Sequence, residues 1–74
     1  MINNRDEDLL KRFGEHLRGL REKAGLSQQE LALKAGISKN QIGNIERAEV
    51  NITLVTANSI CQVLEISLSE LFDI

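Results

Sequence analysis

Residues 28–47 read QQELALKAGISKNQIGNIER, and this stretch decides the fold. Ser27 stands before it with Glu30 three residues on, the spacing of a capping box that opens a helix. Leu31, Ala32 and Ala35 form the inner face of that helix, and Gly36 ends it after barely two turns. Ser38 is the next N-cap, and Ile42 and Ile45 are the inward residues of the helix it starts. Two short helices therefore meet across a tight corner. Ala32 must be small because the helices approach closely there, and Gly36 can take a positive φ without the penalty that a Cβ brings. Leu31, Ile37, Ile42 and Ile45 fill the angle, which leaves Lys39, Asn40, Gly43, Asn44 and Arg47 pointing away from the core. A face of amides with a lysine has the chemistry to read base edges.

Working outward, Leu10, Phe13, Leu17, Leu20 and Ala24 have the spacing of one helical face, with Gly25 in the C-terminal capping position. On the other side a loop from Ala48 to Ile52 leads to Thr53, the N-cap of a fourth helix with Leu54, Ala57, Ile60, Cys61 and Leu64 inward. Ile66, Leu68, Leu71 and Phe72 mark a short fifth helix capped near Ser67. The expected fold class is all-α, a five-helix bundle without strands. Residues 1–7 are expected to be a flexible segment and residues 8–74 the domain. Seventy-four residues suffice for one modest core, and with no Pro, Trp or Tyr and two Phe that core is aliphatic.

Composition excludes several function classes. The single cysteine, Cys61, rules out an intrachain disulfide and a cysteine-based zinc site, and its place on an inward face reads as packing rather than redox chemistry. His16 has no Cys, His or carboxylate pair near it in sequence and reads as a boundary residue. There are no clustered carboxylates, Ser/His/Asp set or glycine-rich phosphate loop, so neither an enzyme nor a cofactor or metal is expected. The lack of a signal-like run or an 18-residue apolar stretch points away from membranes and to the cytoplasm. The formal net charge of -2 looks wrong for a nucleic-acid partner, but its distribution matters more than its sum. All nine Lys and Arg lie within residues 5–47, whereas residues 51–74 carry three acids and no base.

The segments GLSQQELALKAGIS (25–38), IGNIER (42–47) and ISLSELF (66–72) together resemble the lambda-repressor-like, Cro/C1-type (XRE) helix-turn-helix family. The resemblance extends without a gap from Leu17 to Phe72. It implies that the third helix lies in the major groove of duplex DNA, with Lys39, Asn40 and Asn44 on base edges. Gln28 then meets a phosphate at the start of the second helix, and Ser38, Gln41, Arg47 and Asn51 are backbone or secondary contacts. Arg21 and Glu46 match an ion pair linking the first helix to the end of the third. Two departures stand out. Ala48 occupies the position after the third helix where the family has Gly, and Asn51-Ile52 replaces a common Asn-Pro in a loop without a basic residue.

The expected function is that of a transcription regulator binding a near-palindromic operator as a homodimer. Val55, Val63, Leu68, Leu71, Phe72 and Ile74 leave more apolar surface than so short a bundle can bury, and form the expected dimer interface. The run NIT followed by ICQVL resembles restriction-modification controller proteins. The competing expectation is a protein-binding adaptor on the same fold, which the net acidity favours and the polar face of the third helix opposes.

Overall fold

In the computed structural model, which describes residues 6–74, the chain forms five helices: α1 (Glu7–Lys23), α2 (Gln28–Ala35), α3 (Lys39–Glu46), α4 (Leu54–Leu64) and α5 (Leu68–Leu71). No strand occurs among the described residues. Each helix begins at a side-chain cap. Asp6 accepts from the Leu9 amide at 3.0 Å, and Ser27, Ser38, Thr53 and Ser67 do the same for Glu30, Gln41, Thr56 and Glu70. Asp6 and Glu7 therefore belong to the start of α1 rather than to a flexible lead, and the rest of that expected segment, 1–5, lies outside the described residues. The Ser27 capping box closes both ways, with Glu30 Oε1 accepting from the Ser27 amide at 2.9 Å. Those bonds to the carboxylate hold the Glu30 pKa below its ordinary value.

The first four helices end in the same way, with a residue at positive φ: Gly25 (φ 76), Gly36 (φ 73), Ala48 (φ 63) and Glu65 (φ 57). Amides just beyond the turn bond back across it, Leu26 to Arg21 O, Ile37 to Ala32 O, Glu49 to Asn44 O and Ile66 to Cys61 O, at 2.9–3.1 Å. These are Schellman-type closures. Glycine makes two of them at no steric cost, while Ala48 and Glu65 carry a Cβ into the left-handed region.

The core is made of Phe13, Leu17, Leu31, Ala32, Ile42, Ile45, Ala57, Ile60, Cys61 and Leu71, with Leu20, Leu26, Ile37 and Leu64 among the residues packed around it. Three expectations are corrected here. Leu71 is 0% exposed, because it is the one fully buried residue with which the short α5 closes the bundle, so it is not available to a dimer interface. Leu54 faces out at 69% exposure, since it is the first residue of α4 and the helix turns Thr56 and Ala57 inward instead. Ala24 also lies at the surface, as the C-cap of α1.

Gly14 sets the distance between α1 and α3. A Cβ there would stand 2.6 Å from Glu46 O and 2.8 Å from Ile45 O, both backbone atoms that cannot step aside. Phe13 and Phe72 stack with centroids 5.4 Å apart, and His16 Nε2 donates to Glu70 O at 2.9 Å. Both contacts tie the C-terminal segment to α1.

The strained cap at Glu65 yields a test. Replacing the exposed Glu65 with Gly relieves the left-handed penalty and loses no buried surface. Glu65→Gly is expected to raise the melting temperature by about 3–6 °C, for a gain of about 0.5–1 kcal/mol, in a thermal melt followed by circular dichroism.

Candidate nucleic-acid interface

The corner between α2 and α3 presents one end of α3 to the outside. Lys39 and Asn40, its first two residues, are exposed, and Asn44 is half-exposed one turn on. In α1, α2 and α5 the first turn carries an acid, which suits the positive end of the helix dipole; α3 has none and places Lys39 there. A cation in that position costs about 0.3–1 kcal/mol of helix stability in the free protein. The result is an electropositive helix end with free amides, a feature suited to phosphates and acceptor-bearing base edges.

Other expected contact residues have protein partners of their own. The Ser38 hydroxyl oxygen caps α3 by accepting from the Gln41 amide at 3.1 Å. Gln41 Nε2 donates across to Thr56 Oγ1 at 3.5 Å. Asn44 Oδ1 accepts from Arg47 Nη2 at 2.7 Å, and Arg47 Nε donates to Glu49 Oε1 at 3.3 Å. Asn51 is exposed beside the apolar groove between Leu9, Ile52 and Phe72. Gly43, expected to face outward with the polar residues, is buried because the Arg47 guanidinium lies over it; a Cβ would be 2.8 Å from Nη1.

Gln28 is the clearest change of role. Its amide nitrogen donates to Glu46 Oε1 at 3.0 Å, so the side chain expected on a phosphate serves the ion pair in the free protein. That pair is closed in bidentate fashion, Arg21 Nε to Glu46 Oε2 at 2.7 Å and Nη2 to Oε1 at 3.0 Å, with side-chain exposures of 9% and 4%. Arg21 Nη1 also donates to Leu26 O at 2.8 Å, in the turn between α1 and α2. Hydrogen bonding to Glu46 outweighs the burial penalty and raises the Arg21 pKa, so the guanidinium stays charged. One carboxylate thus gathers α1, α2 and α3.

Two residues fall outside this interface. Cys61 is buried, its Sγ donates toward Ser67 O at 3.6 Å, and burial raises its thiol pKa, all of which fits packing rather than redox chemistry. His16 supports α5, as described. Thr56 and Glu49, which contact Gln41 and Arg47, were missed by sequence reasoning, and Gly43 was placed on the wrong side. Only the spacing of Asn44 and Arg47, three apart on one helix face, signalled their contact.

The helix-turn-helix family profile matches residues 17–71. The chain belongs to the XRE-type helix-turn-helix family of DNA-binding transcription regulators. This helix-turn-helix protein is 39% identical over 66 residues to control protein C.MunI of Mycoplasma sp, covering 88% of this chain and 89% of that one. It is 34% identical to control protein C.SmaI of Serratia marcescens over 86% of this chain and 76% of that one. Among solved structures, the restriction-modification controller protein C.AhdI from Aeromonas hydrophila has a TM-score of 0.82 at 39% identity, over 84% of this chain and 94% of that chain. No helix among the described residues is long and apolar enough to cross a membrane.

The ion pair of this helix-turn-helix protein can be tested directly. Arg21→Ala leaves Glu46 desolvated without its countercharge and is expected to cost about 3–5 kcal/mol in urea unfolding, whereas the double replacement Arg21→Met with Glu46→Leu recovers most of that stability.

Proposed function

We propose that this protein regulates transcription by binding a near-palindromic operator in duplex DNA as a homodimer, with α3 of each copy in the major groove. The reading rests above all on the exposed, electropositive N-terminal face of α3, where Lys39 and Asn40 are exposed polar residues and Asn44 follows one turn on. A protein-binding surface would carry aromatic or aliphatic anchors there. Lys39, Asn40 and Asn44 are the proposed base readers. Ser38, Gln41, Arg47 and Asn51 are the secondary contacts, along with the free amides at the start of α2, since the Gln28 side chain is engaged.

A dimer is needed because one α3 offers few base contacts, and two copies related by a two-fold axis place their α3 helices about 34 Å apart, one helical turn of DNA. The proposed interface keeps Val55, Phe72 and Ile74, gains Leu54 and loses Leu71. Val55 is 77% exposed, and Phe72 and Ile74 are 42% exposed. Val63 and Leu68 are half-buried against the core and contribute at most their edges. The absence of basic residues from residues 51–74 fits a segment turned away from DNA. Similarity over most of the length of two control proteins and of a solved restriction-modification controller supports a controller role of the same kind.

Selection from random duplex DNA at moderate salt, followed by sequencing, is expected to enrich a motif with two inverted half-sites. If folded protein retains nothing above background, the adaptor reading takes its place. For the dimer, Val55→Asp is expected to sediment as a folded monomer and to bind the motif more weakly. An unchanged sedimentation mass removes Val55 from the interface.

A further inference from the structure

The side chains of Asn44 and Arg47 are not independent of each other. Arg47 caps α3 at its C-terminal end, yet its guanidinium reaches back along the helix to donate from Nη2 to Asn44 Oδ1 at 2.7 Å. Three features hold it there. Gly43 supplies a bare floor, since a Cβ would stand 2.8 Å from Nη1. Asn44 accepts at the tip, and Glu49 Oε1 accepts from Nε at 3.3 Å. The guanidinium is thereby parked one turn N-terminal of its own backbone, beside an amide on the recognition face.

This contact fixes the hydrogen-bond polarity of Asn44. A guanidinium has five donors and no acceptor, so the Asn44 atom that faces it is the carbonyl oxygen, whatever orientation the amide would choose alone. The bond is charge-assisted and among the stronger kinds. An asparagine that reads adenine must accept from N6 with its oxygen while it donates to N7 with its nitrogen. With the oxygen turned to Arg47 and one of its two lone pairs taken, the pair offers mostly donors, the Asn44 amide nitrogen and the remaining guanidinium hydrogens. A cation beside the oxygen disfavours a second donor such as adenine N6 only in part.

The geometry points to Asn44 and Arg47 acting as one donor unit that selects guanine, whose major-groove edge offers two acceptors, O6 and N7, instead of the adenine that Asn44 would select alone. The inference rests on the DNA-binding reading above and adds to it the identity of one base pair in each half-site. Gly43 and Glu49 become positioning residues, because they act through the guanidinium. Phosphate oxygens are also acceptors, so the test has to separate a base contact from a backbone contact.

The experiment is selection from random duplex DNA, read out position by position, with the wild-type chain and with Arg47→Ala, Asn44→Ala and Gly43→Ala. Arg47 is exposed, and the Cβ added at Gly43 meets only the end of a flexible side chain, so these variants are expected to fold; thermal melts check this. The wild-type motif is expected to hold a guanine in each half-site whose selection is lost in Asn44→Ala. Arg47→Ala releases the Asn44 oxygen and is expected to shift the guanine-to-adenine ratio at that position by about 10-fold or more toward adenine. Gly43→Ala dislodges the guanidinium and is expected to shift it in the same direction. A uniform loss across all sequences in Arg47→Ala, with every positional preference kept, overturns the proposal and assigns Arg47 to phosphate. Adenine at the Asn44-dependent position of the wild-type motif overturns it equally. If the wild-type arm enriches no motif, the DNA-binding reading fails and this inference falls with it.

Discussion

Glu46 is the residue on which the arrangement depends. Its two carboxylate oxygens accept from Arg21 of α1 and Gln28 of α2, while its own backbone belongs to the last turn of α3. Arg21 in turn donates to Leu26 O and so pins the α1–α2 turn. A buried pair of this kind adds little net stability against a well-packed apolar substitute, because both charges must leave water. Its value lies in direction. Apolar side chains such as Leu31 and Ile42 tolerate small rotations of one helix against another, whereas a bidentate guanidinium–carboxylate contact has one good geometry. The orientation of α3, and with it the outward face of Lys39, Asn40 and Asn44, follows from that contact.

The contact is possible only because Gly14 lets the last carbonyls of α3 come against α1. A methyl group at residue 14 would meet Glu46 O at 2.6 Å and push α3 away from Arg21. The bundle is thus held by a polar clamp and a missing side chain, together with aliphatic packing through Leu17, Ile60 and Leu71. Its helix ends show the same economy. The left-handed closing turn recurs four times, and the chain accepts it with Ala48 and Glu65 as well as with glycine, at the cost of some backbone strain.

Much of this was legible in the sequence because the signals were local. Ser27, Ser38, Thr53 and Ser67 announce helix starts through their own side chains, and Gly25 and Gly36 announce ends through their freedom at positive φ. The Arg21–Glu46 pair was legible only through resemblance, since the two stand 25 positions apart and nothing local in the sequence brings them together. The errors have causes as well. Leu54 and Gly43 were assigned by helical periodicity, which fails within a turn of a helix end and where a long side chain such as Arg47 folds back over its own helix. Leu71 was assigned from a surplus of apolar residues, which does not say which of them the core takes. Ala48 gave a partial signal, as a residue standing where glycine belongs, and its φ of 63° shows the chain adopting the turn regardless. The bond from Gln28 to Glu46 was not legible, because a phosphate and a carboxylate ask for the same amide donor and sequence alone does not say which is near in the free protein.

The central claim is that the N-terminal face of α3, held by Glu46, is the surface that meets DNA. An NMR titration of the 15N-labelled chain with duplex DNA at low salt tests it most directly. The account predicts that shifts concentrate on the amides of Lys39, Asn40 and Asn44 and on the side-chain amides of the two asparagines, with smaller changes at the start of α2. Shifts confined to α4 and α5, or none at all under conditions where basic proteins bind duplex DNA, would contradict it.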